Sequence, residues 1–139
     1  MNKALFATLA LGAAVAFAGS ASAEKLKATL DGKSEVPATT SSATGTADLD
    51  YDAATKKLSW KVSYSGLSGP ATAAHFHGPA EVGKNAGVAV PIAGIANSPA
   101  EGSATLTDAQ AADLLAGKLY VNIHTAANPG GEIRGQVTK

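Results

Sequence analysis

The sequence predicts an all-β fold: an antiparallel, immunoglobulin-like or Greek-key β-sandwich with one short capping helix. Three observations point there. Apolar residues recur at every second position, the runs that do so are short, and loops rich in Gly, Pro, Ser and Asn separate them. Many short alternating strands at such spacing form a sandwich or a small barrel.

The amino terminus is read separately. Lys3 precedes the apolar stretch "ALFATLALGAAVAFAG", which ends at "ASA", Ala21–Ala23. A basic start, an apolar run and an A-x-A motif make a secretory signal peptide over residues 1–23. Small residues and a Gly-Ser turn close the run, so no membrane span is expected once the signal is cleaved. Residues 24–139 then form a single domain, located in the periplasm or secreted. The chain holds eleven basic and eleven acidic side chains with no block of like charge, so nucleic acid is excluded as a partner. It has no cysteine, so packing rather than disulfides must hold an exported domain of this size together.

The strands follow in order. "KLKATLDG" aligns Leu26, Ala28 and Leu30 on one face. In "GTADLDYD", Ala47, Leu49 and Tyr51 face one way and Thr46, Asp48 and Asp50 the other. After a turn over Asp52–Lys56, Leu58, Trp60, Val62 and Tyr64 repeat the pattern, as an antiparallel hairpin requires. Trp60 belongs to this apolar face and is expected in the core rather than on a ligand platform. Later strands are "GVAVPI" (Val88, Val90, Ile92 inward), "GSATL" (Ala104, Leu106), "LYVNIHT" (Leu119, Val121, Ile123) and "EIRGQV" (Ile133, Val137). The tract "PATTSSATGTA" reads as a solvated loop.

One segment departs from the period of two. "LTDAQAADLLAGK" offers Thr107 as an N-cap with Gln110 three residues on, the apolar pair Leu114-Leu115, and Gly117 as the stop. It predicts one short helix that covers an end of the sheets.

The chain's three histidines are the candidate site. In "AAHFHG", strand alternation sends Ala74 and Phe76 to the core and His75 and His77 together to the other face. In "YVNIHT", Val121 and Ile123 are the core pair, which puts Asn122 and His124 on the outer face. All three imidazoles therefore point away from the core, and they converge if the two strands are neighbours. Neutral imidazole suits copper, zinc or nickel, and a His-x-His pair completed by a third His leaves an open coordination position. Glu132 and Arg134 stand two apart, which reads as an ion pair or a loop clamp. No serine lies in a nucleophile-elbow context, and no helix follows the Gly130-Gly131 turn to cradle a phosphate.

The motifs "EVP", "SYSGLSG", "AAHFHGPA" and above all "LLAGKLYVNIHTAANPGGEIRGQV" resemble the CHRD domain, the module of secreted chordin and of many exported bacterial proteins. The resemblance runs from Glu35 to Val137 and implies an all-β, immunoglobulin-like fold, with little implied about activity. More loosely, a His-x-His, a later strand ending in His, a Gly-rich loop and an Arg-bearing strand look like the copper,zinc superoxide dismutase barrel. That likeness implies copper ligation by His75, His77 and His124, with Arg134 guiding an anion. The chain departs from it in lacking a cysteine pair and any further histidine for a bridging or zinc position, so metal binding is carried over and the enzyme activity is not. Asn122, Glu132 and Arg134 are expected around the ligands. A second reading stands beside this one: a metal-free extracellular module whose His and Gly-rich loops shape a surface for a ligand or for an extracellular or periplasmic protein.

Overall fold

Alternation across residues 24–65 sets up a meander. In the computed structural model, which describes residues 23–139, β1 (Ala23–Asp31) pairs antiparallel with β2 (Thr44–Asp52), and β2 with β3 (Lys57–Ser65). Leu49 stands opposite both Leu26 and Trp60, so one buried face continues across three strands. The signal-peptide expectation concerns residues that, Ala23 apart, lie outside the described ones.

The remaining strands are β4 (Ala71–His77), β5 (Val88–Pro91), β6 (Ala100–Thr105), β7 (Tyr120–Thr125) and β8 (Ile133–Gln136). All eight join one antiparallel sheet in the order β5-β4-β7-β8-β1-β2-β3-β6. The sheet folds over on itself: Trp60 of β3 and Phe76 of β4 are far apart in that order, yet their rings meet at 5.2 Å. The fold is therefore all-β and antiparallel as expected, and the two layers are halves of one continuous sheet. A single core lies between them, built from the predicted inward residues, among them Leu30, Leu49, Leu58, Trp60, Val62, Phe76, Val121, Ile123 and Ile133.

The helix α1 (Asp108–Leu115) begins with the full capping box, Thr107 and Gln110 bonding each other's backbone, and Gly117 follows its end with a φ of 74°. Leu114 is buried and Leu115 exposed, so only part of the apolar pair covers the core. No described helix is long and apolar enough to cross a membrane.

Two expectations are corrected. Val88 is 56% exposed rather than inward, because the register shifts between Phe76 and His77 where β5 pairs with β4, and a bulge there breaks the parity read from Val90 and Ile92. The tract 37–47 is not simply solvated: Ala43 is buried, the Thr39 hydroxyl donates to the Glu132 carbonyl, and the Ser41 hydroxyl donates to the Glu132 carboxylate.

Candidate metal centre

The sheet order makes β4 and β7 direct neighbours, although a helix and two strands separate them in sequence. Their register sets Ala73 opposite His124, His75 opposite Asn122, and His77 opposite Tyr120. Side chains at alternate positions of paired strands share a face, so His75, His77, Asn122 and His124 lie together opposite the Phe76–Ile123 core. One ligand atom from each histidine lies within 4.8 Å of the others. His75 Nδ1 and His124 Nε2 are 3.1 Å apart. Metal–nitrogen bonds of about 2.0–2.1 Å place two donors on one ion about 2.9–3.4 Å apart, so this pair already has ligand spacing.

Backbone carbonyls set the tautomers. His77 Nδ1 faces the Ala86 carbonyl at 3.0 Å and His124 Nδ1 faces that of Pro129 at 2.8 Å. A carbonyl only accepts, so both Nδ1 atoms carry the proton and both Nε2 atoms keep a lone pair. This is how metal-binding histidines are usually oriented from behind. His77 Nε2 is buried with no hydrogen-bond partner. The ring of His75, which no carbonyl holds, donates from Nδ1 to the His124 lone pair and is the one free to turn. Burial, with the neighbouring histidines adding to it, lowers the pKa of His75. Burial also lowers that of His77, against the opposing pull of the Ala86 carbonyl, which accepts from its Nδ1, and of Asn122. Both rings therefore stay neutral, and able to ligate, below the usual imidazole range.

The face is not the open, solvated one that alternation implies. Loops roof it: His77 is 8% exposed, and Asn122 and Arg134 are buried. His77 stacks on Tyr120 at 4.9 Å with an interplanar angle of 5°, and the Arg134 guanidinium lies over the other side of Tyr120 at 3.4 Å. Arg134 also donates to Asn85 Oδ1 at 2.9 Å and to the Lys84 carbonyl, which pins the 78–87 loop to β8. It is thus a loop clamp and the backstop of the His77 stack. Glu132 is a clamp of a different kind. The ion pair with Arg134 that their spacing permits does not form; instead Glu132 accepts from Ser41, Ser68, Thr125 and Asn128. It precedes β8 and ties three loops together.

Glu35 is the residue that sequence reasoning missed. It lies in the loop after β1, buried, beneath Gly131 and beside Asn122; a Cβ at Gly131 would stand 2.6 Å from both Glu35 Oε1 and Asn122 Nδ2. Burial raises its carboxyl to about 7, with Arg134, Asn122 and the Val36 backbone pulling the other way. Above it runs a groove of about 440 Å³ between Glu35–Thr40 and Ala127–Gly131. The only sequence signal for Glu35 was its place in "EVP".

An antiparallel β-domain whose roofed outer face gathers three imidazoles defines the class: a small all-β domain with a histidine cluster across two neighbouring strands. The particular family follows from the sequence match. Residues 26–137 match the CHRD domain, and the chain belongs to that family. No curated protein and no solved structure matches it.

Proposed function

We propose that this CHRD-domain protein is exported and binds one transition-metal ion, copper favoured over zinc, through His75, His77 and His124. The observation that carries the reading is the joint orientation of the three rings: donors within 4.8 Å, with Nε2 of His77 and of His124 left as lone pairs by the Ala86 and Pro129 carbonyls. An all-nitrogen donor set with an open position suits Cu(II) better than the oxygen-preferring Mg²⁺ or Ca²⁺.

Elemental analysis and isothermal titration with Cu(II) and Zn(II) test it. About one ion per chain is expected, with His124→Ala weakening binding as much as His75→Ala, by at least the roughly 10–100-fold that losing even a group behind a ligand costs, since each removes one of three ligands. Binding fades as acid protonates the rings, and the lowered values of His75 and His77 put that midpoint below the free-imidazole value of about 6.5. No uptake by the wild type leaves the metal-free module as the reading.

A further inference from the structure

Four buried side-chain polar atoms lack a hydrogen-bond partner among the described residues: Trp60 Nε1, Glu35 Oε1, Asn122 Oδ1 and His77 Nε2. The last three belong to one neighbourhood. Asn122 sits on β7 between Tyr120 and His124, across the ladder from His75, and its amide acts on the ionisation of both His77 and Glu35. Its Nδ2 is turned to the Gly130 carbonyl at 3.4 Å, which leaves Oδ1 for the histidine side. His77 Nε2 is a lone pair because Nδ1 donates to Ala86. The neighbourhood thus holds three acceptor atoms that no donor satisfies, and a buried acceptor left unpaired loses its hydration without return. A metal ion satisfies His77. It does nothing for the two oxygens, which need protons.

We propose that Glu35 and Asn122 form the outer shell of the three-histidine site and accept hydrogen bonds, through Glu35 Oε1 and Asn122 Oδ1, from a water bound at the position the imidazoles leave open. The inference rests on the metal reading and names the ligand of that site: a small protic oxygen species with two hydrogens to give. Glu35 is a positioning residue, since no ligating histidine touches it and Asn122 stands between. Arg134 on β8 is the charged group that faces it, and His77, beyond Asn122, is the titratable one. A carboxyl that accepts a hydrogen bond from a bound water interacts with that water's ionisation, so the two would titrate as a pair.

The test uses Cu(II) as the probe. Wild type, Glu35→Gln, Asn122→Ser and, as a control at an exposed carboxylate of the adjoining loop, Glu81→Gln are loaded with copper. Electron paramagnetic resonance and visible spectra are then followed from pH 5 to 9. Copper stoichiometry should stay the same in all four. In Glu35→Gln the anionic acceptor is gone, so the spectral midpoint should fall by about one pH unit, a tenfold change in proton affinity. Asn122→Ser should shift it too, and Glu81→Gln should superimpose on wild type. If the wild type and both site variants load copper and titrate identically, the outer shell is wrong while the three-histidine site stands. If the wild type takes up no copper, both readings fall. Should Glu35→Gln fail to fold, Asn122→Ser decides alone: an unchanged midpoint overturns the proposal.

Discussion

Two glutamates are buried in this domain on either side of the 127–131 loop, and they behave in opposite ways. Around Glu132, burial alone would raise the carboxyl, but hydrogen bonds from Ser68, Thr125 and Ser41 outweigh it and hold the pKa at about 2. Around Glu35, burial wins over Arg134 and Asn122 and the value rises to about 7, with one oxygen unpaired. Both side chains are buried; the donor count differs. A carboxylate surrounded by hydroxyls and amides is a structural tie, whereas one with fewer donors keeps an oxygen unsatisfied beside Asn122. A buried acid thus marks a site through the partners it lacks.

Removing Glu132 should have the largest effect. Glu132→Ala strands five donors, from Ser41, Ser68, Thr125 and Asn128, between three loops and should cost about 3–5 kcal/mol in denaturant melts, as breaking one side of a buried charged network does. A loss under about 1 kcal/mol would mean the clamp is solvated and the contrast false.

The pH dependence sharpens it. Glu132 sits below its unfolded value of 4.5, so the stability it contributes is present above that pH and disappears as pH falls toward 2. Glu35 sits above 4.5, so its contribution is full below pH 4.5 and is lost as pH rises through about 7. Glu35→Gln should therefore flatten the alkaline side of the stability curve, with a gain over wild type at pH 8 relative to pH 5 of about 1–3 kcal/mol. Equal stability differences at the two pH values would show that the carboxyl of Glu35 is not held high.

Gly131→Ala should cost about 1–3 kcal/mol. Its φ is 126°, and a Cβ there meets Glu35 Oε1 and Asn122 Nδ2 at 2.6 Å. Gly130→Ala, with nothing within 4 Å, should change stability by less than about 0.5 kcal/mol. Melting temperatures of the two variants make the comparison directly.

The strands were legible because alternation is local: Leu26 to Leu30, Ala47 to Tyr51 and Leu58 to Val62 announce their faces, as Thr107 and Gln110 announce the helix start. The common orientation of His75, His77, Asn122 and His124 was legible for the same reason. That β4 lies beside β7 was not, since strand adjacency depends on how the whole core closes. Nor was the roof, whose contacts span long stretches of chain, such as Asn85 Nδ2 donating to the Val36 carbonyl at 3.0 Å. Glu35 lies in a loop without periodicity, and no spacing rule brings residue 35 to residues 122 and 131. Glu132 and Arg134 were placed on one face by their separation, but Glu132 precedes the strand and turns to the loop hydroxyls instead.

The proton positions on His77 and His124 are set by carbonyl groups of Ala86 and Pro129, and a carbonyl is the same whichever residue bears it. The orientation of the rings is therefore written in the length and path of two loops and not in their lettering. Exchanging the side chain at position 86 leaves the acceptor where it is, whereas inserting or deleting one residue between His77 and Ala86 moves it. In this domain loop length is inherited information, and two loops of quite different composition but equal span would present the same lone pairs.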